Sequence, residues 1–391
     1  MTAAARKNWR AAAAPLCAGA ISLATAFISA SGPAAASSRP DAGSRPPGSP
    51  LAAAPSGEEL LTVSASSARS AWATGELLTG GTVLLHWNGR AWSRASFPDP
   101  AASTFRGVSD VAPRNAWLAG VRAGKTLILH WNGTKWSRVA SPNVAGQSNG
   151  VDAVSASSAG NAWAVGSTCP TESQDCVPLM LRWNGTDWST VASPAIGDSA
   201  VAAVKTLSAT DAWAVGHDCG TGGCYEPLVM HWNGTRWSQM PLPAGVTGGL
   251  FGITATSARN AWAVGDGFGN GKTWIFHWNG TRWSEAAHPN PGFGDSLFGV
   301  TAMSRNNARA VGYSCTSRDC THAHTLILHW NGRAWSRVTS PNAGTGSELA
   351  DVAAVSARSA WAVGDDCTVT ESCAPIILRW NGTAWSKVRL S

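Results

Sequence analysis

Short apolar runs alternate with turn residues along residues 58–391, and the pattern repeats seven times. In the last copy, residues 349–356, 360–364, 376–380 and 384–388 are each a brief stretch rich in Val, Ile, Ala or Trp. Gly, Asn and Ser bound them. Such runs predict strands, labelled a to d in chain order. No stretch carries a helical period of useful length. A Trp-Asn-Gly step marks every copy, with its tryptophan at Trp87, Trp131, Trp183, Trp232, Trp278, Trp330 and Trp380. The spacings are 44, 52, 49, 46, 52 and 50 residues. A strand-built repeat of about this length cannot bury its faces alone and must stack on its neighbours. The expected fold is all-β: a seven-bladed β-propeller of four-stranded antiparallel blades.

Within each module some positions hold constant. Strand a carries Val63, Val108, Val154, Val204, Ile253, Val300 and Val352, often preceded by a small residue such as Gly107, Ala153 or Gly252. Small residues suit the crowded innermost strand. The Asn-Gly step predicts a two-residue type I′ hairpin, which places Trp87 opposite Arg90 and Leu85 opposite Trp92. Twenty of the 22 tryptophans occupy one register on strand b, c or d and are expected in the core. His86, His130, His231, His277 and His329 share one position with Arg182 and Arg379, so a hydrogen-bonded structural role is expected there, not metal ligation. Arg309 replaces the strand-b tryptophan in module six; stacking on Trp330 or Trp335 is expected.

The ends differ from the repeat. Residues 1–36 read as a signal peptide, with Arg6, Lys7 and Arg10, then an apolar stretch, then Ala34-Ala35-Ala36 as a cleavage site. Residues 37–57, rich in Pro, Ser and Ala, read as a linker before the propeller at 58–391. The formal charge of +6 falls to +3 once those three cations are removed, which gives no case for a nucleic-acid partner. No later segment is apolar enough to span a bilayer. Eight cysteines beyond Cys17 fall in four local pairs: Cys169 and Cys176, Cys219 and Cys224, Cys315 and Cys320, Cys367 and Cys373. Export and local pairing point to disulfides. The alternative is zinc, which requires pairs from different modules to converge on one metal.

The Ala-Trp-Ala-Val-Gly step, followed by Leu-Ile-Leu-His-Trp-Asn-Gly-Thr-x-Trp-Ser, resembles the repeat of secreted actinobacterial β-propeller proteins. The layout is similar to kelch and Asp-box propellers of the galactose-oxidase and sialidase type. The resemblance covers residues 58–391 and implies the fold far more than the function. The kelch Gly-Gly pair is missing from strand b, and Trp-Asn-Gly-x-x-Trp stands where an Asp-box would be.

Antiparallel order puts the b–c and d–a connections on one face. These vary in length and carry all the cysteine pairs and 16 of the 23 acids, so binding is expected on that variable, acidic face. Departures from the repeat concentrate in modules five and six. Phe268, Phe293, Tyr313 and the additional Trp274 stand with Asp266, Asp295, Arg318, His322 and His324, and together they form the candidate ligand site. Aromatic platforms beside carboxylates suit sugar stacking. His322-x-His324 lacks a placed third ligand, and neither Asp365-Asp366 nor the loop from Asp266 to Asn270 shows a full calcium pattern, so no metal or cofactor is expected. The expected activity is non-catalytic binding of an extracellular glycan or protein, by a monomer. The rival is a glycoside hydrolase or polysaccharide lyase using loop carboxylates.

Overall fold

The computed structural model describes residues 57–98, 100, 103–170, 176–194, 196–218, 226–268, 271–342, 344–367 and 373–390. The signal and linker segments, apart from Gly57, lie outside the described residues, as do Cys219 and Cys224. Seven four-stranded antiparallel sheets, each in the order a–b–c–d, make seven blades: 58–94, 104–139, 147–191, 199–239, 249–285, 295–337 and 347–387. No described segment forms a helix long and apolar enough to cross a membrane.

Strand a of every blade faces a central channel. The small residues of strand a follow from crowding there. A Cβ on Gly107 would lie 2.8 Å from the Val154 amide nitrogen, and one on Gly299 would lie 2.7 Å from the Asp351 Cα.

Tryptophans join the blades. The strand-b tryptophan of one blade packs on the strand-c and strand-d tryptophans of the next. Trp72 meets Trp131 at 5.2 Å and Trp136 at 5.0 Å, and Trp213 meets Trp278 at 5.2 Å and Trp283 at 5.3 Å. The ring closes by the same device, since Trp361 of blade seven meets Trp87 and Trp92 of blade one at 4.7 and 5.1 Å. Edge-on geometry of this kind adds to the area each ring buries. Strand-c tryptophans also donate their indole N–H to a carbonyl in the a–b turn, as Trp87 does to Ala68 (3.0 Å) and Trp380 to Ala357 (3.0 Å). Four of the five histidines in the column pack on the strand-b tryptophan of their blade, Trp72–His86 at 4.2 Å for example, and four bond an acceptor side chain on strand b, as His130 does Asn115 at 2.9 Å.

Two local expectations are corrected. The Asn-Gly turn is not type I′. Trp87 pairs directly with Trp92 and Leu85 with Arg94, leaving Asn88–Ala91 as a four-residue loop. The Asn88 side chain decides this: its Oδ1 accepts the Arg90 and Ala91 amides at 2.9 and 3.0 Å, and only Gly89 takes positive φ (93°). Arg309 does not stack within its own blade. It lies over Trp380 of blade seven at 4.8 Å, because it inherits the inter-blade direction of the tryptophan it replaces.

Candidate functional site

Strand a carries two bulges per blade, one near the a–b turn and one nearer the variable face. The bulge nearer the variable face skips a residue at Leu61, Arg106, Asp152, Ala202, Phe251, Phe298 and Ala350. All seven line the channel, a cavity of about 340 Å³. A bulge re-aims its side chain, and here it turns one variable residue per blade inward. The bulge also explains the glycine that ends each Ala-Trp-Ala-Val-Gly step. Strand a swings so close that a Cβ on Gly265 would lie 1.9 Å from the Gly249 carbonyl oxygen.

The bulge ring is chemically divided. In blades two and three, Arg106 reaches Asp152 at 3.3 Å and Glu76 at 3.5 Å. In blades five and six the same position holds Phe251 and Phe298, whose rings meet at 5.7 Å. The aromatic contact continues on both sides. Phe251 meets Phe268 at 6.1 Å, Phe268 meets His217 at 5.9 Å, and Phe298 meets Tyr313 at 5.8 Å. A wall of five rings therefore spans blades four to six. It runs from the channel to the ends of strands a and b on the variable face.

Buried acids support this wall. Asp266, at the end of strand b in blade five, accepts the Phe268 amide at 3.0 Å and the Ser296 hydroxyl of blade six at 2.5 Å. The first bond holds Phe268 at φ 44°, a left-handed conformation that costs a non-glycine residue energy and often marks a functional position. Burial pushes the Asp266 carboxyl up, against these two donors. Asp295 accepts the Gly292 amide at 3.0 Å and is likewise pushed up by burial. Tyr313 lies among Glu348, Asp266 and Asp295; burial first, then these three charges, raise its phenol well above the ordinary value.

The structure brings together Phe268, Tyr313, Asp266 and Asp295 among the residues singled out in sequence. Phe293 stands 62% exposed on the rim of the variable face. Arg318 is exposed in the loop closed by Cys315 and Cys320, and His322 is exposed just beyond it. His324 pairs with Ser314 along strand c. Trp274 is buried between blades four and five, with its indole N–H donated to the Thr247 carbonyl at 2.7 Å, so it offers no open platform. The acidic variable face is met only in part. Glu58, Asp266, Asp295, Glu348 and Asp365 are buried in the blade ends, whereas Glu226 and Asp319 are exposed. Glu58 is ion-paired to Arg94.

Phe251 and Phe298 were missed as site residues. The available signal was their column: two positions before each β-branched residue of strand a, the sequence reads Leu, Arg, Asp, Ala, Phe, Phe, Ala. That is the least regular position of an otherwise regular strand.

Cys169–Cys176, Cys315–Cys320 and Cys367–Cys373 are disulfides, which suits an oxidising environment. The pairs lie within single blades, so zinc binding across modules does not arise for them. Glu59 and Asp365 flank the last of these bonds, with donor atoms of the four residues within 4.8 Å. With both sulfurs in a disulfide, no thiolate is left there for a metal.

No family model and no curated protein sequence matches the chain. Solved structures match it in shape. YCF48 bound to a D1 peptide is 15% identical with a TM-score of 0.54, over 84% of this chain and 94% of that one. U3-55K is 12% identical with a TM-score of 0.53, over 78% and 88%. The GH74 xyloglucanase from Xanthomonas campestris is 13% identical with a TM-score of 0.50, over 83% of this chain and 55% of the enzyme. At such identities the likeness establishes the propeller fold alone, and propellers host unrelated sites.

Proposed function

We propose that this protein is a secreted, non-catalytic propeller that binds a saccharide at the variable-face mouth of its channel, over blades five and six. The observation that carries this is the aromatic wall of His217, Phe268, Phe251, Phe298 and Tyr313. Phe251 and Phe298 line the cavity itself. Aromatic rings with a few placed polar groups are the usual make-up of a ligand pocket, and the C–H face of a sugar packs on such rings. The carboxylates of Asp266 and Asp295 are buried and hydrogen-bonded, which favours a supporting role over general acid–base work. The disulfides and the N-terminal sequence support secretion.

The test is a glycan array followed by calorimetry with the full chain. Phe251→Ala and Phe298→Ala should each weaken a saccharide that binds the native protein by about 10-fold, the equivalent of roughly 1.4 kcal/mol. Trp274→Ala should weaken it less, since Trp274 has no open face. Failure of every glycan to bind would remove the saccharide reading and leave a protein partner. Release of reducing ends would replace binding by hydrolysis.

A further inference from the structure

We infer that the saccharide is acidic, and that Lys205 receives its carboxylate inside the channel. This rests on the saccharide reading above and adds the ligand's charge to it. Five charged side chains line the cavity: Arg106, Asp110, Asp152, Lys205 and Asp351. Four have protein partners. Arg106 and Asp152 pair with each other at 3.3 Å. Asp110 accepts the Ser66 amide and the Ser66 and Ser70 hydroxyls, all at 3.0 Å. Asp351 accepts the Thr62 hydroxyl at 2.9 Å and the Val63 amide at 3.0 Å. Among the described residues, Lys205 is the one charged group in the channel with no hydrogen bond or ion pair.

Its position in the repeat makes that vacancy informative. The equivalent residues of the other blades are Ser64, Ser109, Ser155, Thr254, Thr301 and Ala353. Three of these serines tie their blade to the next. Ser64 accepts the Asp110 amide at 2.8 Å, Ser109 the Ala156 amide at 3.1 Å, and Ser155 the Thr206 amide at 3.0 Å. Lys205 gives up this bond and carries a charge into a confined space. Burial pushes its ammonium down, the mark of a cation lacking compensation. An uncompensated buried charge is destabilising, so the residue is better suited to a ligand than to the fold.

The rest of the cavity selects the ligand. The bulge residue above Lys205 in blade four is Ala202, which leaves the column open toward the mouth. Blades five and six present Phe251 and Phe298 in the same cavity. A uronic acid has the matching parts: a carboxylate for Lys205, a C–H face for the phenylalanines, and hydroxyls for the serines. An inorganic anion would use the lysine and ignore the rings.

The experiment is calorimetry on the full chain with glucuronate, glucose and sulfate, using native protein, Lys205→Met, Lys205→Arg and Phe298→Ala. Glucuronate should bind at least 10-fold more tightly than glucose, and 0.5 M salt should shrink the difference. Lys205→Met should abolish the preference but keep the glucose affinity, and Lys205→Arg should retain it. The melting temperature of ligand-free Lys205→Met should equal or exceed the native value, which guards against a folding artefact. Equal affinity for both sugars, or a preference that survives in Lys205→Met, overturns the inference while leaving the saccharide reading intact. Sulfate binding at Lys205 that Phe298→Ala does not affect, with no gain for glucuronate over glucose, also overturns it. If neither sugar binds, this inference falls, and the glycan array alone decides the saccharide reading.

Discussion

At the residue scale, Arg309 shows how a repeat position dictates direction before identity. Six blades place tryptophan there, and the arginine still points across the interface to Trp380. Its guanidinium is buried and its pKa is pushed down to about 10 by that burial. A desolvated cation on one ring is a poorer joint than three packed indoles. Arg309→Trp should therefore raise stability, by about 1–2 kcal/mol in a urea titration; a loss would mean that the blade six–seven interface has adapted to the smaller group. Trp274 teaches the opposite lesson. Its departure from the repeat was visible in the sequence. Its burial was not, because the partner carbonyl of Thr247 lies 27 residues away in the d–a connection.

At the element scale, strands a and b are designed as a pair. The bulge on a and the glycine on b occupy the same space, so neither is explained alone. Gly265→Ala should force strand a away, cost roughly 3 kcal/mol by overpacking, and move Phe251 out of the aromatic wall. Calorimetric loss of ligand with a shifted Phe251 ring resonance checks it; a variant as stable as the native protein would show that the bulge can relax. The strand lengths and the four-strand order were legible from short apolar runs. The bulge was not, because a single skipped residue leaves no mark on strand periodicity except in which side chains vary. The hairpin was misread for a related reason. An Asn-Gly dipeptide serves a two-residue turn or an Asn-capped four-residue loop, and the backbone amides of Arg90 and Ala91 choose between them.

At the scale of the whole molecule, one interface differs from the other six. Blades seven and one are not joined by a connecting segment; they hold together by side chains and by two backbone contacts, a bridge between Leu390 and Trp92 and the Gly57 amide donated to the Cys373 carbonyl at 3.1 Å. Trp361 packs on Trp87 and Trp92, and Asp351 bonds Thr62 and Val63 across the seam. Trp361→Ala should open the ring to proteolysis at a lower urea concentration than Trp213→Ala, although both indoles are equally buried and each truncation costs about 3–5 kcal/mol. The seam also responds to pH. Burial, against the three donors from Val63, Val352 and Thr62, raises Asp351 to about 6. An unfolded aspartate titrates near 3.9, so between these values the native state binds the proton more tightly. Stability should therefore fall as pH rises from about 4 to about 6, by at most about 3 kcal/mol for this group. Asp110, Asp152, Asp266 and Asp295 are raised by burial as well and act in the same direction. His86, His130, His217, His277 and His329 are pushed down by burial and act oppositely, gaining stability as pH rises toward 6.5. The check is therefore the variant: relative to the native protein, Asp351→Asn should lose melting temperature at pH 5 and lose less, or gain, at pH 7.

The chain alone determined the number of blades, the order of strands, the inward place of strand a and the core role of the tryptophans. These depend on period and composition, which are local and repeat seven times. Tertiary structure decided which residues meet: the tryptophan clusters between blades, the burial of five of the acids on the variable face, and the aromatic wall that shares its channel with Lys205. Such features join positions about 50 residues apart in neighbouring blades. Their geometry is set by how the blades twist together around a common axis, and that information is not carried within any one module.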